Sequence, residues 1–143
     1  MKKLNTFFAF IAGATVMFFL LAFNNKKQAE PYVLQHENEI AAQQPGPHDG
    51  GGSTVAYPFF EKIKDFKMAF RKRVLKPGSS IGYHLQETDE VYYILSGNGE
   101  VKMNRETFNV KGGDAILTRP GSSHGLKPTG NDDLTVIIAY QLK

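Results

Sequence analysis

Residues 82–97 have the sequence GYHLQETDEVYYILSG, in which polar side chains recur at a spacing typical of strands. His84 and Gln86 are two positions apart, so on a β-strand both point to one face. Glu90 follows a short bend and shares its face with Tyr92 on the next strand. If these faces form the interior of a barrel, the buried polar groups need partners. A divalent metal ion is one such partner, because it suits both imidazole nitrogen and carboxylate oxygen.

A second stretch, residues 113–124, has the sequence GDAILTRPGSSH and ends in another histidine. His124 lies near the start of a different predicted strand and could supply a further metal ligand. Arg119 lies in the loop before it, and its guanidinium could bind a carboxylate or a phosphate through two hydrogen bonds at the barrel mouth. The alternative for Arg119 is a solvated loop arginine.

Short segments rich in β-branched and aromatic residues surround the two stretches, separated by turns of Gly, Pro, Asn and Asp. Such a pattern, without long helical periodicity, predicts an all-β antiparallel sandwich or barrel. The predicted strands are Met68–Leu75, Ile81–Gln86, Val91–Leu95, Glu100–Met103, Thr107–Val110, Ala115–Thr118, Ser123–Leu126 and Leu134–Tyr140.

The N-terminal residues 1–25 form an apolar leader, with two lysines before an uncharged run from Phe7 to Phe23. This pattern is typical of a secretory signal peptide, and the run also reaches the lower limit for a spanning helix. We therefore expect export to a periplasmic or other extracytoplasmic location, with the leader helix either cleaved or retained as a membrane anchor. Residues 26–54 contain Gln, Pro and a Gly-rich run and predict a flexible spacer. Residues 55–143 then form a single β-barrel domain.

Charge and cysteine content exclude several classes of partner and site. The 143-residue chain has no cysteine, so it has neither disulfides nor thiolate metal sites. Its formal charge of +3 falls to +1 without residues 1–25, since the leader carries two lysines and no acidic residue. So small a charge indicates no nucleic-acid partner. Contact with a membrane would come only through an uncleaved leader.

The two stretches resemble the two conserved motifs of the cupin superfamily, in particular of its small single-domain members. The first motif is matched by the spacing His84-x-Gln86-x3-Glu90-x6-Gly97, and the second by Gly113, Gly121 and His124. The resemblance implies a jelly-roll barrel, also called a double-stranded β-helix. It also implies one divalent metal ion (Zn, Fe, Mn or Ni) and a homodimer, since the family commonly forms dimers. The implied ligands are His84, Gln86, Glu90 and His124.

The sequence departs from the family pattern at one ligand. Gln86 stands where the family usually has a histidine, and its neutral amide oxygen is a weaker ligand than imidazole. Phosphomannose isomerases, which are also cupins, have a Gln–His–Glu–His zinc site, but their glutamine precedes the histidine. Some cupins have lost the metal, so a metal-free polar pocket is the alternative.

Other residues allow two interpretations each. Tyr92 either donates a hydrogen bond to a bound ligand or is a core aromatic, and His48 is either a further ligand or a solvated histidine of the spacer. Arg71 and Arg73 share a strand face that we expect to be solvated. The aromatic residues Tyr57, Phe59, Phe60, Phe66 and Phe70 are expected in the core or at a dimer interface.

Three functions are compatible with these features. A divalent ion with one Glu ligand leaves a net charge of +1, and Arg119 would add to it, which favours a small anionic ligand. The first function is a metal-dependent enzyme, with isomerase-like chemistry for zinc or dioxygenase-like chemistry for Fe, Cu or Ni. Its catalytic residue is unknown, because Glu90 would be occupied by the metal. The second is non-catalytic binding of a small molecule. The third is an interaction module, in which the leader is the anchor and the flexible spacer displays the barrel.

Overall fold

Ten β-strands and one short helix occur in residues 30–143, the part of the chain that the computed structural model describes. Helix α1 is Glu37–Ile40. The strands are β1 (Ala42–Gly46), β2 (Gly51–Phe59), β3 (Met68–Leu75), β4 (Ile81–Leu85), β5 (Glu90–Ser96), β6 (Asn98–Met103), β7 (Glu106–Lys111), β8 (Ala115–Thr118), β9 (Ser123–Pro128) and β10 (Leu134–Gln141).

The strands form two antiparallel sheets. The larger has six strands in the order β1-β2-β3-β10-β5-β8, and the smaller has four in the order β4-β9-β6-β7. Every strand pair in the two sheets is antiparallel. Residues Val33–Lys143 form one compact unit. The all-β antiparallel class predicted from the sequence is confirmed.

Alternating burial explains why these segments pair and where the core lies. In β5, Glu90, Tyr92 and Ile94 are buried, whereas the side chains between them are exposed. The face that Glu90 and Tyr92 were predicted to share is therefore the inner face of the sheet. Complete burial of an aliphatic side chain such as that of Ile94 contributes about 1.5–3 kcal/mol to the stability of the fold. The core cluster consists of Leu75, Ile81, Tyr92, Ile94, Val101, Val110, Leu126, Leu134, Val136 and Ile138.

The predicted strands all occur, with ends that shift by up to two residues, but β1 and β2 were missed. β1 and the first residues of β2 lie within residues 26–54, so the prediction of a flexible spacer was wrong from Ala42 onward. The Gly-rich run, residues 50–52, belongs to the hairpin of β1 and β2, where glycine lets two backbone segments approach each other closely. Gly52 has a φ of +66°, and a Cβ there would lie 2.5 Å from the Ser79 Cα.

The turn between β1 and β2 packs directly against β4. The Gly82 amide donates a hydrogen bond of 2.9 Å to the carbonyl of Pro47. A Cβ on Gly82 would lie 1.7 Å from the carbonyl oxygen of His48. Only glycine therefore fits at this position without displacing the turn.

We expect Gly82→Ala to destabilise the fold by about 3 kcal/mol, because the added methyl group overlaps backbone that cannot rotate away. Urea unfolding of the variant measures this loss. Gly112→Ala is the matched control, since its Cβ would meet its nearest neighbour at 3.5 Å, an ordinary contact. Equal losses in the two variants would contradict the proposed docking of the turn.

The aromatic cluster predicted for the core or a dimer interface lies on or beside β2 and β3, and its members are partly buried except for Phe66, which is exposed. Phe59 packs against Phe70 with ring centroids 5.9 Å apart, and Phe60 contacts Phe66 edge-on at 5.7 Å. The homodimer stays a prediction. The leader lies outside the described residues, and within residues 30–143 no helix combines the length and apolar character needed to cross a membrane.

Candidate metal centre

Three side chains with metal-binding atoms meet between the two sheets. His84 on β4 and His124 on β9 are cross-strand partners in the smaller sheet, and Glu90 begins β5 in the larger one. One ligand atom from each residue lies within 4.8 Å of the other two. Bonds of about 2.0–2.2 Å to a zinc-like ion place its ligand atoms roughly 3–4 Å apart. A small adjustment of the side chains would therefore let one ion contact all three.

Hydrogen bonds fix the orientation of both imidazole rings. His84 Nδ1 lies 2.8 Å from the carbonyl of Gly82, which can only accept, so Nδ1 donates this bond and Nε2 is the nitrogen left for a metal ion. His124 Nδ1 lies 2.8 Å from the hydroxyl of Thr118, which is itself buried. Such partners on the outer nitrogen typically orient histidine ligands towards a metal.

The centre contains two buried polar atoms that lack hydrogen bonds within the described chain. They are Glu90 Oε2 and His124 Nε2, which lie 2.8 Å apart in a contact that lacks hydrogen-bond geometry. Unpaired buried polar atoms are costly, and a cation coordinated by both would remove that penalty. Two imidazoles and one carboxylate suit Zn, Fe, Mn or Ni. The residues present therefore fit a divalent metal ion.

Gln86 follows β4 and lines the same cavity as His84 and Glu90. It is buried, and its backbone is held by hydrogen bonds of 2.8 Å to the Ser122 carbonyl and 2.9 Å from the Gly121 amide. Leu85, one residue earlier, is 59% exposed. The predicted alternation of inward and outward side chains thus extends through residue 86.

Tyr92 is buried beside the centre, with its ring centroid 4.9 Å from that of His124. Burial, followed by the negative charge of Glu90, raises the pKa of Tyr92 well above its ordinary value. The hydroxyl therefore stays protonated at physiological pH. Since Tyr92 also lines the cavity, it can donate a hydrogen bond to a ligand there.

Arg119 is not brought to the cavity. Its side chain is 69% exposed, and its Nε lies 3.2 Å from Asp89 Oδ1 in an ion pair at the surface. The residues that line the cavity include neither partner of this pair. The structure thus matches the solvated-loop alternative for Arg119.

The cavity has a volume of about 330 Å³ and is lined in part by residues that were not predicted to belong to the site. Arg71 and Arg73 reach it from β3, although their face was expected to be solvated. They share their strand face with the buried Ala69 and Leu75, and these apolar neighbours were the available signal.

His48 also lines the cavity, from the turn between β1 and β2. Its ring stacks on His84 with centroids 3.6 Å apart and planes inclined by 4°. Partial burial, then the neighbouring His84, lowers the pKa of His48, which favours the neutral ring. His48 does not belong to the three-residue group of potential ligands. Its position covers the outer side of His84.

Residues 72–140, which include every potential metal ligand, match the protein family described as Cupin domain. The chain belongs to the cupin superfamily. Its two sheets, with the His–His–Glu group between them, are the cupin barrel and its predicted metal centre.

Similar proteins of known sequence or structure share this cupin domain. A protein of Thermotoga maritima described as an oxalate-binding protein is 44% identical over 74 residues, which are 51% of this chain and 61% of that protein's length. The crystal structure of a T. maritima protein described as a predicted oxalate decarboxylase is 30% identical, with a TM-score of 0.68, and is covered over 100% of its length by 78% of this chain. The cupin domain of Schizosaccharomyces pombe Cnp3 has a TM-score of 0.61 at 15% identity, over 78% of this chain and 76% of that one, and shows the fold alone.

We expect Thr118→Val to weaken metal binding to this cupin about 10–100-fold, because it removes the hydroxyl group that orients His124. Competition with a chromogenic chelator measures the affinity. Thr118→Ser keeps the hydroxyl and should bind metal much as the wild type does. If the valine and serine variants bind metal equally, the hydrogen bond does not orient the ligand.

Proposed function

We propose that this cupin binds one divalent metal ion through His84, Gln86, Glu90 and His124 and uses it to hold a small carboxylate anion of the oxalate class. The observation that carries the proposal is the pair of buried atoms without hydrogen bonds, Glu90 Oε2 and His124 Nε2, beside a small cavity that Glu90 lines. The oxalate-binding relative supports the choice of ligand.

The charge and hydrogen bonding of the cavity suit an anion. A bound divalent ion supplies a Lewis acid whose charge exceeds that of its single carboxylate ligand, Glu90. Tyr92 is kept protonated and offers a hydrogen-bond donor beside this centre. A cavity of about 330 Å³ lies at the lower end of the range for small-molecule sites, which suits a ligand of a few heavy atoms.

Calorimetric titration of oxalate into the protein tests this function. The titration compares metal-loaded protein, chelator-treated protein and His124→Ala. We expect heat of binding from the metal-loaded wild type, and none from the other two. Unchanged oxalate binding after removal of the metal would refute the proposal, and so would the absence of binding to protein of known metal content. Glucose 6-phosphate serves as the anionic comparison ligand, because isomerase-like chemistry was one of the enzymatic functions compatible with the sequence.

The second candidate function is turnover of the bound anion by a metal-dependent enzyme. The similarity to the T. maritima structure described as a predicted oxalate decarboxylase favours this candidate over isomerase-like or dioxygenase-like chemistry. Incubation with ¹³C-labelled oxalate, followed by NMR, separates turnover from binding. Loss of the oxalate signal that depends on both metal and His124 would establish an enzyme. If the protein binds oxalate and the oxalate signal persists, the protein is a binding protein and not an enzyme that acts on oxalate.

We also propose that the protein is exported and acts outside the cytoplasm, on the basis of the basic and apolar residues 1–25. Fractionation of expressing cells and mass spectrometry of the mature N-terminus test this. A cytoplasmic protein with residues 1–25 intact would contradict it.

A further inference from the structure

Arg73 is a buried cation that has no carboxylate partner within residues 30–143. Its relative exposure is 5%, and no ion pair joins it to a described acidic group. Arg71, two residues away on the same strand, is paired with Glu61 at 3.1 Å. Burying an unpaired charge is expensive, so a buried arginine of this kind is suited to bind an anion.

The hydrogen bonds of Arg73 orient its guanidinium without neutralising it. Nη1 donates to Thr54 Oγ1 at 2.8 Å, and Nη2 donates to Gln44 Oε1 at 3.4 Å. Thr54 in turn donates to the Gln44 carbonyl at 3.0 Å, which fixes the acceptor on the β1–β2 hairpin. A guanidinium has five N–H donors, and these two bonds leave three for a ligand.

The strand register places Arg73 on the same inner wall as the metal centre. Arg73 is opposite Val136 of β10, and Val136 is opposite Ile94 of β5. Ile94 lies on the inner face of β5 together with Glu90, four residues earlier. Both Arg73 and Glu90 line the same cavity, so a ligand at the metal centre would share that cavity with the Arg73 guanidinium.

We propose that Arg73 selects dicarboxylates: one carboxylate of the ligand lies at the metal centre, and the Arg73 guanidinium binds the other. This inference rests on the proposed function and adds to it the residue that sets ligand class. Arginine suits the role because its planar fork matches a carboxylate and stays charged where a lysine would lose its proton more readily. A monocarboxylate would bind the metal and leave Arg73 unpaired.

The test is calorimetric titration of the metal-loaded full chain with oxalate, malonate and formate, in the wild type and in Arg73→Gln. We expect the substitution to weaken oxalate and malonate about 10–100-fold, the usual effect of losing hydrogen bonds to a charged group. Formate affinity and metal content should stay near the wild-type values. Arg105→Gln is the matched control, since it makes the same chemical change at an exposed turn between β6 and β7.

The outcomes separate this inference from the function on which it rests. If the wild type binds oxalate through the metal and Arg73→Gln binds it equally well, the inference is overturned and the function stands. The same holds if oxalate and formate weaken together, because that indicates a general disturbance. If the wild type binds no oxalate, both are overturned. Should Arg73→Gln fail to fold, Arg73→Lys is used instead, because lysine keeps the charge but lacks the planar guanidinium. A selective loss of dicarboxylate affinity in that variant supports the inference. Unchanged dicarboxylate selectivity overturns it.

Discussion

Replacing Glu90 with glutamine is expected to abolish metal binding while leaving the barrel folded. Glu90 supplies the only negative charge among the potential ligands that the structure brings together. Glutamine has nearly the same shape but offers a neutral amide oxygen. Changes to outer-shell partners of a metal already weaken affinity about 10–100-fold, so loss of a charged ligand should exceed about 100-fold. Elemental analysis of protein purified without added metal measures the difference.

In the metal-free protein, by contrast, the same substitution should not lower the free energy of unfolding. Glu90 is 4% exposed, and its Oε2 has no hydrogen-bond partner within the described residues. Glutamine replaces a buried carboxyl group whose Oε2 has no hydrogen bond, so the stability of metal-free Glu90→Gln should equal that of the wild type or exceed it by about 1 kcal/mol. The wild type instead gains stability from the metal, about 2.7 kcal/mol at a concentration one hundred times Kd.

Urea unfolding with and without a chelator tests this pair of effects. Glu100→Gln is the matched control, because Glu100 lies on β6 and pairs with Lys127 at the surface, 2.8 Å away. Loss of such a surface pair changes stability by about 0–1 kcal/mol and should leave metal binding intact. Retention of tightly bound metal by Glu90→Gln would show that the carboxylate is not a ligand.

Local sequence predicted the strands around the metal centre because burial and strand propensity agree there. β5 alternates buried and exposed residues and is rich in Tyr, Ile and Val, so both its conformation and its inner face were apparent. β1 and β2 contain Gln, Gly, Ser and Pro, which favour loops. They become strands because β2 pairs with β3 along six positions, a contact between distant parts of the chain. Tertiary pairing overrode local preference.

The candidate ligands were predictable because their spacing along the strands fixes their face. The arginines were not, for two physical reasons. Arg119 projects from a loop, where a long side chain finds its partner, Asp89, through geometry that sequence spacing does not determine. Arg71 and Arg73 share a face by strand parity, but parity alone does not say which face is inside. Their inward direction depends on β2 and β10, which flank β3.

Replacing Gln86 with histidine should tighten metal binding about tenfold, or about 1.4 kcal/mol. His84 and Gln86 both line the cavity, whereas Tyr83, the residue before His84, is exposed and lies outside the cavity lining. The backbone of residue 86 is held by hydrogen bonds to the loop before β9, so an imidazole there should point into the cavity as the amide does. Imidazole is the better ligand for Zn, Fe or Ni.

Chelator competition on Gln86→His and on Tyr83→His decides the role of the glutamine. The second variant adds a histidine on the exposed side of β4, outside the cavity lining, and should leave the affinity unchanged. If Gln86→His binds metal no more tightly than the wild type but loses oxalate affinity, then the amide contacts the anion and the metal has only three protein ligands. If metal affinity rises, glutamine occupies a coordination position, and this cupin holds its metal more weakly than one with a histidine there. Weaker protein ligation leaves more positive charge on the ion, which strengthens its attraction for a carboxylate ligand.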